Sequence, residues 1–166
     1  MPTRVAGLVL AAGAGRRYGM PKALVRHDGR LLVERAAEVA AAAGCAPIVV
    51  VLGAAAADVR AAADLAGADV VDNPEWDTGM GSSLRAGLSA LAATDAVAAI
   101  VLLVDMPGVT VAAVRRLRSL AGEDVLAMAG YGDRRGHPVL LGRSHWTGIA
   151  TSAVGDVGAR PYLHRR

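Results

Sequence analysis

The chain has 166 residues, the size of a single domain when domains run to roughly 150. Hydrophobic residues make up 54%, but much of that is alanine, so the core must come from the Val, Leu, Ile and Met runs. The net charge of +3 is almost all arginine, aromatics are 3% and phenylalanine is absent; nucleic-acid binders interleave aromatics with their basic patches, so small anionic ligands are expected instead.

The apolar run at 5–10 reads as a first strand. Preceded by Arg4 it mimics a leader peptide, but glycines break it early and the lone Cys45 offers no disulfide framework, so a cytoplasmic protein is expected. A helix is predicted over 31–43. The uncharged stretch 39–57 is long enough to span a bilayer, yet Gly44, Pro47 and Gly53 divide it into a helix end, a buried strand at 48–52 and a helix start. No membrane span is expected. The periodicity then predicts the middle of a helix at 58–65, a strand at 68–71, a loop over 72–80 and a helix over 82–91 with Gly81 or Ser82 near its cap. A very apolar strand at 97–104 follows, then a helix at 112–120 with Arg115, Arg116 and Arg118 on an exposed face. Strands at 125–129 and 139–141 flank a hairpin tip at Asp133, Arg134 and Arg135. The four histidines and one cysteine lack zinc-ligand spacing.

Continuous apolar strands separated by helices predict an α/β fold: a three-layer Rossmann-like sandwich, a mostly parallel sheet with helices on both faces, one domain over 1–166. In such sheets ligands sit outside the carboxyl ends of the strands, so chemistry is sought in the loops that follow them.

The first of these loops, in LVLAAGAGRRYGMPKALV, carries Gly13, Gly15 and Gly19 with Arg16, Arg17 and Lys22 among them. Glycines let backbone N–H groups approach a phosphate, and cations neutralise its charge. No Gly-Lys-Ser/Thr follows, and the G-x-G-x-x-x-G spacing is one residue too long for a dinucleotide fingerprint. Lys22 is the single lysine of the chain. The strand at 97–104 ends in Asp105, a carboxylate at the sheet rim, where it reads as a ligand for a hard cation. The stretch NPEWDTGMGSSLRAGL places Gly79, Gly81, Ser82 and Ser83 at a helix start, where on spacing alone they read as capping residues. Arg85 faces either the site or solvent, and His137, before Pro138, reads as a strand-edge residue.

The segment LAAGAGRRYGMPKAL resembles the signature of the MobA-like NTP transferases, and its Ala-Ala-Gly and Pro-Lys form is similar to the molybdenum cofactor cytidylyltransferase branch. Asp105-Met106-Pro107 matches that family's D-x-P, and GHPVLL at 136–141 and GDVGAR at 155–160 complete the resemblance, which covers residues 5–163. It implies a nucleotide-diphospho-sugar transferase-like fold. Ala11, Ala12, Gly13 and Gly15 would line the nucleotide, with Arg16 and Lys22 on its phosphates. Gly79, Gly81, Ser82 and Ser83 would contact base and ribose, Arg160 a phosphate, and Asp105 with Asp156 would hold Mg²⁺. Members continue past this segment through another strand and helix, so exposure of a sheet edge or of part of the acceptor pocket is expected here.

The implied reaction is NMP transfer from an NTP, CTP favoured, to a phosphate monoester such as molybdopterin, with a molybdoenzyme or its chaperone as the receiving partner. Alternatives are a GTP-using or sugar-phosphate enzyme, and a cofactor carrier without catalysis.

Overall fold

A computed structural model describes residues 4–14, 19–131, 134–155 and 159–164; Gly15, Arg16, Asp133 and Asp156 lie outside them. In chain order the strands and α-helices are β1 (Val5–Ala11), β2 (Arg26–His27), β3 (Arg30–Leu31), α1 (Leu32–Ala42), β4 (Ile48–Leu52), α2 (Ala56–Ala62), β5 (Asp69–Asp72) and α3 (Met80–Ala92). They continue as β6 (Ala98–Leu103), α4 (Val111–Arg118), β7 (Leu126–Tyr131), β8 (Arg134–Gly142), α5 (Trp146–Ser152) and α6 (Arg160–His164).

Six strands form one sheet in the order β5-β4-β1-β6-β8-β7. The first four are parallel, with Val9 in register with Val50 on one side and Leu102 on the other. All seven residues of β1 are buried, which explains its unbroken apolar run: it has sheet on both edges and helices on both faces. Its side chains alternate accordingly. Val5, Val9 and Ala11 join Val33 of α1, Val59 of α2 and Val114 of α4 in one core. Ala6, Leu8 and Leu10 join Leu84 and Leu88 of α3, Ile149 of α5 and Tyr162 of α6 in the other. Burying a leucine such as Leu8 contributes roughly 1.5–3 kcal/mol, so the two cores fix the layers.

Several expected boundaries move for physical reasons. The helix predicted at 58–65 ends at Ala62, because the Asp64 N–H donates to Glu34 Oε2 at 2.8 Å instead of continuing the helical ladder. The short strand predicted at 139–141 is the nine-residue β8, antiparallel to both β6 and β7. Its pairing with β7 shifts between Met128 and Ala129, opposite His137 and Pro138, so the proline marks a bulge within the strand. Arg118 does not lie on a purely solvated face: its guanidinium packs over Gly44, and its buried Nε has no partner among the described residues. The β2–β3 hairpin, α5 and α6 carry no strong periodic signal and were not anticipated. β7 lies at the edge of the sheet.

The chain builds β1, β4 and β5 outward in one direction and then crosses to β6 on the other side of β1. The sheet's switch point therefore lies between β1 and β6, where a crevice opens at the strand ends.

Candidate active site

A cleft of about 490 Å³ occupies this switch point. β1 delivers Ala12, Gly13 and Ala14 to it, β6 delivers Val104 and Asp105, and the start of α3 closes a third side with Gly79, Met80 and Ser83. Lys22 enters from a short 3₁₀ turn, Lys22–Leu24, whose Ala23 is buried and anchors the turn. Its Nζ stands 3.1 Å from Asp105 Oδ2, with side chains 32% and 42% exposed. The anion-binding cation and the rim carboxylate expected from sequence thus face each other across one cleft.

The other expected residues separate into groups. Ala12 and Gly13 line the cleft, whereas Ala11 ends β1 with its side chain in the core on the α1 face. Gly79 is the N-cap of α3 with φ +114°, a conformation that L side chains rarely adopt, and it lines the cleft. Gly81 faces away. Its N–H donates to the Gly155 carbonyl at 2.9 Å, and a Cβ there would stand 2.8 Å from the Ala153 backbone carbon. Arg85 reinforces this contact by donating to the Ala153 carbonyl, so it faces neither ligand nor open solvent. The segment leading to Asp156 is therefore docked on the first turn of α3. Ser82 is buried and does not line the cleft; its hydroxyl serves the Glu75 and Gly79 carbonyls. Ser83 is equally buried but does line it. Arg160 opens α6, and Gly15, Arg16 and Asp156 lie outside the described residues. His137, half-buried in β8, is not among the residues lining the cleft.

Sequence reasoning missed three contributors. Trp76 and Asp77 line the cleft from a 3₁₀ turn, Trp76–Thr78. Trp76 packs on Gly53: a Cβ at 53 would lie 2.7 Å from Trp76 Cγ and 2.8 Å from Ala12 Cβ. One of only two tryptophans, placed inside a motif already singled out, was the available signal. Asn73, buried at 4% exposure, ties this turn to α3 through hydrogen bonds to both serines. A lone asparagine before proline gives no such signal in sequence.

As donors, Asp105 and Asp77 offer hard carboxylate oxygens to a cleft that also holds Lys22. Among the described residues no three His, Cys, Asp or Glu side chains gather as a metal cage. That donor set suits Mg²⁺ or Mn²⁺, which take one or two carboxylates and complete their shell with water and substrate phosphates.

The chain is 41% identical over 170 residues to nicotine blue oxidoreductase of Paenarthrobacter nicotinovorans, covering 98% of this chain and 82% of that protein. The crystal structure of Rv0371c from Mycobacterium tuberculosis H37Rv superposes with a TM-score of 0.83 at 34% identity, covering 99% of this chain and 84% of the other. A structure of Rv0371c in complex with manganese gives a TM-score of 0.82 at 32% identity, covering 98% and 83%. Residues 7–166 match the MobA-like NTP transferase domain, and the chain belongs to that family of α/β nucleotidyltransferases.

Proposed function

We propose that residues 1–166 act as one domain that transfers a nucleoside monophosphate from an NTP, CTP favoured, to a phosphate monoester of the molybdopterin type, in the cytoplasm. The observation that carries this reading is the meeting of Lys22 and Asp105 in the cleft that the glycine loop enters. Nucleotidyl transfer asks little covalent chemistry of a protein: it needs the reactants aligned and their charge neutralised. An oxygen of the acceptor phosphate attacks the α-phosphorus, a new P–O bond forms, and the bond to the β-phosphate oxygen breaks with pyrophosphate leaving. The acceptor is already anionic near neutral pH, so no protein base has to remove a proton from it.

Within this scheme the backbone N–H groups of residues 13–15, with Arg16, hold the β and γ phosphates, and Lys22 turns from Asp105 to the α-phosphate. Arg160 contributes a further phosphate contact, and Ala12, Gly79 and Ser83 frame the nucleoside. Asp105 and Asp156 would hold Mg²⁺ or Mn²⁺, which when bound withdraws charge from the reacting phosphate. The manganese complex of Rv0371c supports a divalent cation in this family.

The test is pyrophosphate release with CTP or GTP, Mg²⁺ and a phosphate-ester acceptor, alongside thermal shift with each nucleotide. A larger shift with CTP supports the cytidylyl reading; an equal response removes the base preference, and no response to either removes the function.

A second reading rests on the relative named as an oxidoreductase. The same cleft would then hold a nucleotide-containing redox cofactor. NADH or NADPH oxidation in the presence of nicotine blue, with no pyrophosphate release from any NTP, would favour it.

A further inference from the structure

Asn73 is fixed on every side. Its backbone N–H donates to the Leu52 carbonyl at 2.7 Å, and its Oδ1 accepts the Glu75 N–H at 3.0 Å. A backbone N–H can only donate, so this bond settles which end of the amide is oxygen and leaves Nδ2 facing the serines. Nδ2 has two hydrogens and spends both, on Ser82 Oγ at 2.8 Å and Ser83 Oγ at 3.0 Å. Each serine oxygen is thereby an acceptor toward Asn73 and must send its own proton elsewhere.

Ser82 has that outlet in the Glu75 carbonyl at 2.9 Å or the Gly79 carbonyl at 3.0 Å. Ser83 has none: its hydroxyl proton meets no acceptor among the described residues, although the residue is only 4% exposed and lines the cleft. A buried hydroxyl left without an acceptor costs stability unless a ligand or water completes it.

The geometry points to Asn73 as a positioning residue that makes the Ser83 hydroxyl a hydrogen-bond donor toward the ligand, so that this end of the cleft takes an acceptor atom of a nucleoside, such as a pyrimidine carbonyl oxygen or ring nitrogen. The inference rests on the nucleotide reading above and adds the polarity of one contact and the residue that sets it. Trp76 supplies a flat apolar wall beside the same contact. Asn73→Asp would reverse the arrangement: the carboxylate still accepts from Glu75, but toward the serines it can only accept, and it draws the Ser83 proton away from the ligand.

Calorimetric titration of the full chain with CTP and Mg²⁺ tests this on wild type, Ser83→Ala, Asn73→Asp and the double variant. Ser83→Ala is expected to weaken CTP binding by about tenfold, Asn73→Asp by at least as much, and the double variant by no more than about twofold beyond the weaker-binding single. A purely structural role would lower the melting temperature of each variant and leave affinity per folded molecule unchanged. Unchanged affinity in Ser83→Ala overturns the proposal even if Asn73→Asp does not fold, and losses that multiply in the double variant overturn the positioning role. Wild type that binds neither CTP nor GTP overturns the nucleotide reading itself, an outcome separate from the other two.

Discussion

Lys22 and Asp105, 83 residues apart in sequence, meet with Nζ 3.1 Å from Oδ2 because β1 and β6 are neighbours and both end at the cleft. Under the proposed function the pair would couple two binding events: nucleotide phosphates would compete with Asp105 for the ammonium and a divalent cation with Lys22 for the carboxylate, each ligand freeing the group the other needs. CTP is therefore expected to bind more tightly with Mg²⁺ or Mn²⁺ present, and each cation more tightly with CTP, by the same factor. Titrating one at several fixed levels of the other measures it; independent affinities would uncouple the pair from function.

Replacing either member should stop turnover and spare the fold. Lys22→Ala and Asp105→Ala are each expected to lower pyrophosphate release by at least about 100-fold, the usual loss when a group that meets transition-state charge is removed. Both side chains are about a third or more exposed, so the ion pair is worth only about 0–1 kcal/mol and melting should shift little. Retained activity in either variant excludes that residue from the mechanism.

Gly53 is the support of the cleft's aromatic wall. A methyl group at this position would displace both Trp76 and Ala12, the latter part of the turn leaving β1. Gly53→Ala is expected to destabilise the protein by about 1–3 kcal/mol and to raise the KM for nucleotide by about tenfold or more. Melting curves and steady-state kinetics check both; an unchanged KM would detach this wall from the nucleotide.

Glu34 links stability to pH far from the chemistry. Its carboxylate is held below the usual range, chiefly by the Asp64 N–H; burial opposes this, and the Leu31 N–H and the Arg30 and Arg26 charges reinforce it. A carboxylate with a lowered folded value contributes fully above its unfolded value, near about 4, and the contribution fades as pH falls through the folded value. Glu34→Gln should therefore cost about 1–2 kcal/mol at pH 7, with the gap to wild type narrowing below about pH 4. Urea titrations at both pH values measure it, and a gap independent of pH would contradict the assignment.

The fold was legible wherever burial leaves a pattern. β4, buried on both faces, is found at its predicted boundaries, and β1 extends one residue beyond them. α5 was missed because TGIATS has no amphipathic repeat: tertiary packing of Trp146 and Ile149 selects that helix. At the site, Lys22 and Asp105 announced themselves as a unique lysine and as a charge ending an apolar run. On spacing alone Gly81 and Ser82 read as capping residues, and only the family resemblance makes them ligand contacts, because glycine and serine at a helix start serve anions and packing equally well. Only the positions of Gly155, Glu75 and Asn73, remote in pattern, separate the two uses.

Arg143 fixes the far end of the helix that frames the cleft. Its guanidinium donates to the carbonyls of Ala92, Thr94 and Ala96 at 2.7–2.8 Å and lies 5.0 Å from the Trp146 ring centroid. These carbonyls lie at and just beyond the end of α3, where the helix dipole also favours a cation. Arg143→Ala is expected to cost about 2–4 kcal/mol, since it strips a charged donor from three carbonyls. Arg143→Lys should restore less than half of that, because one ammonium cannot reproduce the planar fork. The cleft end of α3 lies about 20 Å away and is held separately by Asn73 and by the Gly81 contact with Gly155. Nucleotide affinity should therefore stay within about twofold of wild type while the melting temperature falls. A tenfold loss of affinity in the folded variant would show that the helix transmits strain between its ends and does not anchor the site locally.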